Sequence, residues 1–513
     1  MIRSPWFLGI DLGTGSCKAA AVDGTGRVLG FGAAEYPGAE SRQRWQEQEP
    51  QGLLDALTAA VRQALERSGV QPGGCGGMSI GGAMHGVMAL DGRDQPLTGV
   101  ITWADGRAVE QARAVAATPV GAQLYHETGC PPHGMYPLYK ILWLREQRPE
   151  LFESAQRFVS AKEYAGFRLT GSWQVDYTLA AGTGLLNTHT LRWSEDALAL
   201  AGVRPEQLSP PASPAAPAGR LQPEAAERMG LPVGTPVVTG SADAVNSSLG
   251  AGALLPTQAT LMVGTSGALR VIASRPVLDS KARSWCYAVD ESHWLVGGAI
   301  NNGGVALAWL RDFFNQAVGH VGGSKPLAFE DILSLAESAP VGSGGLICLP
   351  FFAGERSPNW NLNARAVFFG MTLAHEARHL ARALLEGIGY RFRSLFEVLQ
   401  EMELDVGQIV ASGGFTQSRL WLQTTADALG RELSVPVWGE TSVLAAAFWP
   451  FLAAGGAGSI DDIRDWVRFS RVQRPDPEHA AVYNRVYRTY KNLYCSAAAG
   501  FDEVAELQRE LAI

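Results

Sequence analysis

Short apolar runs separated by polar turns open the chain and give it the pattern of an α/β protein. The runs at 6–11, 17–22 and 27–33 have the length of strands and predict them. Residues 50–68 carry Leu and Ala at helical spacing and predict a helix that stops at Gly69. A further strand is expected at 76–81, running into Gly81-Gly82-Ala83-Met84-His85. Residues 209–219 read as a Pro/Ala connector. After it, 236–244 reads as a buried strand ending in polar residues. Residues 258–273 then repeat the opening logic, strand, glycine–hydroxyl turn, strand. Helices are expected at 372–402, 417–429, 441–455 and 478–495. No low-complexity tract or short-period repeat interrupts the pattern.

The two strand–turn–strand units carry the first candidate chemistry. Leu12-Gly13-Thr14-Gly15-Ser16 follows an apolar run ending in Asp11. Consecutive N–H groups in such a turn make an anion-binding concavity. Gly13 and Gly15 let backbone approach a ligand, Thr14 and Ser16 add hydroxyls, and Lys18 adds a cation. Asp11 can hold Mg²⁺, directly or through its waters. The unit is no P-loop, because its turn leads into a strand and lacks GK[ST]. Taken alone it is equally an ordinary glycine hairpin. The second turn, Gly264-Thr265-Ser266-Gly267, has the same chemistry, so the pair suggests two similar halves gripping a polyphosphate. Phosphoryl transfer needs positioning and charge neutralisation, plus a base near the acceptor hydroxyl. Asp243, at the end of the expected strand 236–244, is the candidate base.

Composition narrows the class. A length of 513 residues suggests two to four domains at about 150 residues each. Hydrophobic content of 46% with 18% charge suits a well-buried globular protein. A net charge of -8 without a basic block argues against nucleic acid as a partner. The cysteines at 17, 75, 130, 286, 348 and 495 form no CxxC pair, which fits reduced thiols in a cytoplasm. Arg3 before a short apolar run makes a poor signal peptide, and no apolar stretch is long enough to span a membrane.

Longer segments sharpen this. DLGTGSCK, the second turn, residues 354–390 (GERSPNWNLNARAVFFGMTLAHEARHLARALLEGIGY), residues 412–430 (SGGFTQSRLWLQTTADALG) and ETSVLAAAFWPFLAAG occur in the order found in the FGGY family of carbohydrate kinases. The chain resembles that family, within the actin/hexokinase/heat-shock ATPase superfamily, from Phe7 to about Tyr494. The resemblance implies two actin-like, ribonuclease H-like α/β domains, 1–253 and 254–513, with a cleft between them. It implies ATP and Mg²⁺ as cofactors, and Asp243 as catalytic base. The two turns become phosphate motifs, and Gly304, Gly413, Gly414, Ser418 and Gln423 join the ATP-binding set, with Trp421 nearby. Ala366 departs from the family, which usually has Gly there.

On the sugar side, residues 82–86 and 101–107 resemble the sugar-binding region of pentulose and hexonate kinases. ITWADGR, 128–144, 175–187 and 297–312 resemble gluconate kinases within the family. The implied substrate contacts are Met84, His85, Trp103, Asp105, Arg107 and Asp243, and the implied substrate is D-gluconate, with D-xylulose or another pentulose or polyol as the alternative. Read from the residues alone, Trp103 offers an apolar face, or serves as core. Asp105 can accept sugar hydroxyls or pair with Arg107, and His85, His133 or Lys140 can meet a carboxylate. Small-molecule partners follow, with a homodimer left open.

Two other classes compete. His375-Glu376-Ala377-Arg378-His379 matches HExxH, the zinc-peptidase signature. The HExxHxxGxxH extension fails, because Arg382 and Leu385 stand where Gly and His belong. Glu397 and Glu401 would lie too far along a continuous helix. An ATPase of the same fold without kinase activity would keep both turns but would need neither 84–107 nor Asp243.

Overall fold

The computed structural model describes residues 5–36, 40–42, 45–320 and 326–511. The chain divides into two compact units. The first comprises Met1–Leu254, Ile272–Val296 and Glu440–Arg468, and the second comprises Leu255–Val271, Gly297–Gly439 and Phe469–Ile513.

The first unit is built on a six-stranded sheet. Its strands are β1 (Trp6–Leu12), β2 (Ser16–Asp23), β3 (Val28–Glu35), β4 (Cys75–Gly82), β5 (Pro217–Arg220) and β6 (Pro236–Val238), in the order β5-β6-β4-β1-β2-β3. β1 to β3 form an antiparallel meander, whereas β4 runs parallel to β1 with Asp11 opposite Gly81 and Leu12 opposite Gly82. The expected helix forms at Pro50–Ser68. Glu49 caps it by accepting from the Gln51 and Gly52 N–H groups, Pro50 opens it, and Gly69 ends it at φ 62°. Leu53, Leu57 and Val61 bury its apolar face beside Leu8 and Ile10.

A second helix, Thr441–Ala453, packs on the sheet more closely than side chains ordinarily allow. A Cβ at Gly9 would stand 2.2 Å from Val443 O and 2.4 Å from Ala447 N. Only glycine in β1 permits that contact.

Two expectations shift here. Part of the 209–219 connector is ordered, since Pro217 begins β5, an edge strand antiparallel to β6, where a missing N–H costs nothing. The strand expected over 236–244 stops at Val238. Gly240 turns the chain at φ 69°, Ala242 makes one parallel bridge to Gly82, and Asp243 is the first residue of a helix, Asp243–Gly250.

The second unit repeats the plan. The sheet on which it is built includes β7 (Gln258–Val263), β8 (Gly267–Ala273), β9 (Trp294–Ile300), β10 (Gln408–Ser412), β11 (Leu433–Pro436) and β12 (Phe469–Gln473), neighbours in the order β9-β8-β7-β10-β11-β12. β7 and β8 form an antiparallel hairpin, and β10 runs parallel to β7 with Met262 opposite Ser412. The helix Ala377–Glu401 carries Tyr390 into an aromatic cluster with Tyr483, Tyr487 and Tyr490 of the terminal helix Pro477–Glu510. Among the described residues no helix is long and apolar enough to cross a membrane, and all six cysteines are free thiols.

Gly9→Ala is expected to lower unfolding stability by about 1–3 kcal/mol through overpacking. Gly73→Ala, where an added Cβ meets nothing within 4 Å, should stay within about 0.5 kcal/mol. Urea titrations of the two variants make the comparison.

Candidate functional site

In the first unit the C-terminal ends of the parallel strands gather the predicted residues. β1 closes on Asp11 and Leu12 before its turn, β4 runs into Met84 and His85, and the 240–242 segment beside β4 delivers Asp243. In an α/β sheet this is the edge where ligands bind. Asp243 opens an eight-residue helix, where the dipole favours an anion.

Asp11 is buried. Ser442 Oγ donates to its Oδ2 at 2.6 Å, and its Oδ1 is buried without a hydrogen-bond partner. Burial raises its carboxyl above the usual carboxylate range, against the lowering effect of Ser442 and Lys18. A buried carboxylate oxygen with unused lone pairs is a donor suited to a hard cation such as Mg²⁺. No cluster of three or more His, Cys, Asp or Glu able to hold a metal occurs among the described residues. Lys18 pairs with Glu440, Nζ to Oε2 2.6 Å, with both side chains partly exposed. Ser442 and Glu440 are the functional neighbours that sequence reasoning missed. They sit inside the quoted segment ETSVLAAAFWPFLAAG, but no local spacing links them to Asp11.

The turn at 13–16 is exposed and closed by Gly13 N–H to Ser16 O, 3.1 Å. Trp103 Nε1 donates to Thr14 Oγ1 at 3.0 Å, and the Gln48 amide donates to Thr14 O. Thr14, Met84, Gly86 and Trp103 line one small cavity. The sugar-side segment and the first turn are thus in direct contact.

Asp105 and Arg107 are buried together. Arg107 Nε lies 2.8 Å from Asp105 Oδ1 and Nη2 lies 2.8 Å from Oδ2, while the N–H groups of Arg107 and Gln46 also donate to the carboxylate. Four donors fill the accepting capacity of a carboxylate. Of the two roles open to Asp105 in the sequence, the structure displays the ion pair. Arg107 also reaches Glu47 at 2.7 Å and lies over the Trp143 ring.

His85 adopts φ 64°, in the left-handed region that side-chain-bearing residues enter uncommonly. Its Nδ1 lies 2.7 Å from Gly182 O, so that nitrogen carries a proton. His133 Nδ1 accepts from Met135 N–H at 3.1 Å, which puts the neutral ring's proton on Nε2. Lys140 was a candidate for a substrate carboxylate. Instead it is fully buried, and its Nζ donates to the carbonyls of His85, Thr102 and Ile101.

In the second unit the turn at 264–267 exposes Gly264 and Thr265 and is closed by Gly264 N–H to Ser266 O, 2.9 Å. The N–H groups of Gly304 and Val305, opening the helix Gly304–His320, donate to Gly264 O and Thr265 O at 2.8 and 3.1 Å. Gly413, at φ 93°, follows β10 and abuts β7, since its Cβ would stand 2.4 Å from Val263 O. Gly264, Gly304, Gly413 and exposed Gly414 therefore lie at one sheet edge. Ser418 caps the helix Arg419–Leu429 by accepting from Trp421 N–H. The Gln423 amide is engaged by Asp427 Oδ1 at 2.7 Å, Arg474 O at 3.0 Å and Gln473.

The helix carrying the HExxH match begins only at Ala377, so His375 precedes it, in a turn closed by His375 N–H to Thr372 O. His375 Nδ1 accepts from Thr372 N–H and His379 Nδ1 from Glu376 N–H, each at 3.0 Å. The two rings stand edge to face, 5.2 Å apart between centroids, each with its Nδ1 spent on local backbone.

Comparison with known proteins adds an independent line. The model of the FGGY family of carbohydrate kinases, N-terminal domain, matches residues 6–250, and that of its C-terminal domain matches residues 259–454. The chain is 36% identical over 511 residues to a gluconokinase of Bacillus licheniformis, covering 99% of each chain. It is 28% identical to a xylulose kinase of Bacillus subtilis, covering 95% of this chain and 96% of that one. Among solved structures, gluconate kinase from Lactobacillus acidophilus superposes with a TM-score of 0.91 at 31% identity, covering 98% of this chain and 100% of that one. A ligand-bound xylulose kinase from the same organism gives the same TM-score, identity and coverage.

Breaking the Asp105–Arg107 fork by Asp105→Asn or Arg107→Met is expected to cost about 3–5 kcal/mol each, as for a buried charge losing its partner. The double variant should cost less than the sum of the two. Chemical denaturation of the three variants in a double-mutant cycle measures the coupling.

Proposed function

Because the chain belongs to the FGGY family of carbohydrate kinases, phosphotransferases acting on sugars, we propose that it transfers the γ-phosphate of ATP to a terminal hydroxyl of D-gluconate. What supports the reading is the strand-end gathering of Asp11, Met84–His85 and Asp243 in a chain 36% identical to a gluconokinase. Asp243 accepts the proton as the sugar oxygen attacks the γ-phosphorus. Met84, His85 and Trp103 hold the sugar, with Asp105 and Arg107 fixing the Trp103 segment. The glycine-rich edge of the second unit, Gly264 to Gly267 with Gly304, Gly413 and Gly414, binds the nucleotide. Ser418 and Gln423 stand in the same element group. The domain division at 253/254 belongs to this reading, as does a reducing cytoplasm as the compartment. Mg²⁺ would be held by Asp11, directly or through water, and would offset phosphate charge. Gly13, Thr14, Gly15, Ser16 and Lys18 add donors around the same group.

D-xylulose is the second reading. It is favoured by the equal superposition on the two Lactobacillus acidophilus kinases.

A coupled ADP-release assay with Mg²⁺·ATP should give the highest kcat/KM for D-gluconate among gluconate, D-xylulose, L-ribulose and glycerol. A xylulose maximum would transfer the assignment to the second reading. Chelation of Mg²⁺ should abolish turnover. Asp243→Asn should lower kcat by about 10²–10⁴-fold, the range for loss of a general base, with sugar affinity kept. Near-full activity in that variant would remove Asp243 from the base role.

A further inference from the structure

Lys140, on the helix Pro137–Gln147, is the most completely enclosed cation near the sugar-side residues, with 0% exposure. Its Nζ lies 2.7 Å from His85 O, 2.7 Å from Thr102 O and 3.4 Å from Ile101 O. An ammonium has three N–H donors, and three carbonyls receive them. These carbonyls come from two separate segments. One is the turn after β4 that bears Met84 and His85. The other is the stretch immediately before Trp103. Backbone pairing of Val87 with Ile101 joins the two segments on one side. Beyond Ile101 the Val87–Ile101 pairing does not continue, and Lys140 binds both segments there.

We propose that Lys140 is a positioning residue of the sugar site, tying the Met84–His85 turn to the Trp103 segment and so setting the spacing between the side chains that meet the sugar. The proposal rests on the sugar-kinase reading above. It assigns Lys140 no contact with substrate, since its donors are already committed to backbone.

The charge on Lys140 is part of the tie. A neutral amine has two N–H donors and a lone pair, so one carbonyl would lose its donor and face that lone pair. Burial pushes the Lys140 ammonium down to about 7, with Asp105 favouring the charged form and Arg107 opposing it. The other polar groups around it are turned elsewhere. Glu47 engages Arg107, the His85 ring engages Gly182 O, and the Tyr136 hydroxyl engages Tyr287. Raising the pH through neutrality should therefore loosen the tie.

Steady-state kinetics of full-length Lys140→Met, with gluconate or whichever sugar the wild type turns over best, test the proposal. The sugar KM should rise by about tenfold or more, with the ATP KM within about twofold and kcat within about threefold, a split that separates binding geometry from chemistry. The rise should appear with a neutral sugar as well as with gluconate. A loss confined to the carboxylate substrate would mean direct contact and would overturn the proposal. So would an unchanged sugar KM in a folded variant. Should Lys140→Met fail to fold, the wild type and Lys140→Arg decide. The wild-type sugar KM should climb between about pH 6.5 and 8.5 while the ATP KM stays flat, and the climb should vanish with a guanidinium, which keeps its proton. A flat wild-type profile overturns the proposal. Hydrogen exchange gives a readout independent of catalysis. Faster exchange in Lys140→Met confined to 83–87 and 101–107 supports the tie, and unchanged exchange there overturns it even if no sugar is ever phosphorylated.

Discussion

The contact between the helix Thr441–Ala453 and β1 is the constraint on which the rest of the first unit depends. Gly9 lets the helix backbone lie directly on the strand. Because the helix begins at Thr441, its first turn falls at the level of Asp11, where Ser442 reaches the carboxylate and Glu440 reaches Lys18. A wider separation would leave Asp11 to water and its carboxyl in the ordinary range. The same close packing recurs on the helix's other side. A Cβ at Gly250 would stand 1.9 Å from Thr441 O, so the helix that opens with Asp243 is pressed against the same turn. Trp449 Nε1 donates to Asn246 Oδ1 at 2.8 Å and Ser79 Oγ donates to Ala446 O at 2.6 Å, pinning it to the helix of Asp243 and to β4. One helix thus registers β1, β4 and the helix of Asp243 against each other.

Buried charge serves geometry in this chain more than it serves stability. Replacing a buried ion pair by packed apolar groups is often neutral, whereas removing one partner is costly, so such pairs fix arrangements. Lys162 and Asp176 are an example. Lys162 is packed against Gly82 at the end of β4, and its ammonium is held by Asp176 Oδ2. The other oxygen of Asp176 accepts from the N–H groups of Thr178 and Leu179, opening the short helix Tyr177–Ala181. That helix ends at Gly182, whose carbonyl accepts a hydrogen bond from His85 Nδ1. In the second unit Glu355 pairs with Arg391 at 3.1 Å and also accepts from Asn301 N–H, close to the glycines that open the helix Gly304–His320.

What the sequence revealed and what it hid divide along contact distance in the chain. The hairpins at 13–16 and 264–267, the helix at 50–68 and its Gly69 stop are local, and periodicity with turn chemistry located them. Asp243 was found as a candidate although its element was misread, because a polar end after an apolar run is visible whether the chain next turns into a helix or not. Ser442 on Asp11 spans 431 positions, and no spacing rule reaches that far. Asp105 and Lys140 mark the opposite limit. The pairing of Asp105 with Arg107 is one of two roles its local sequence leaves open, and the structure displays it, whereas the backbone carbonyls that take the Lys140 ammonium leave no mark in the sequence. The HExxH match has a local structural use instead: His375 lies before the helix, and the two rings, 5.2 Å apart between centroids, each accept a backbone N–H at Nδ1.

The two hairpins, nearly identical as sequences, are finished differently, and the difference bears on what each can do. An anion site needs N–H groups outward and carbonyls turned away. In the second turn backbone alone achieves this, as N–H groups of Gly304 and Val305 take the carbonyls of Gly264 and Thr265. A turn backed by main chain keeps its shape whatever lies beside it. In the first turn the Thr14 carbonyl is taken by Gln48 and the Thr14 hydroxyl by Trp103, both side chains. Its shape is therefore coupled to the segment that bears Trp103, which Lys140 and the Asp105–Arg107 fork hold in turn. A displacement of Trp103 must disturb the Thr14 hydroxyl bond. The second turn has no such link among the described residues, so only the first follows the position of Trp103.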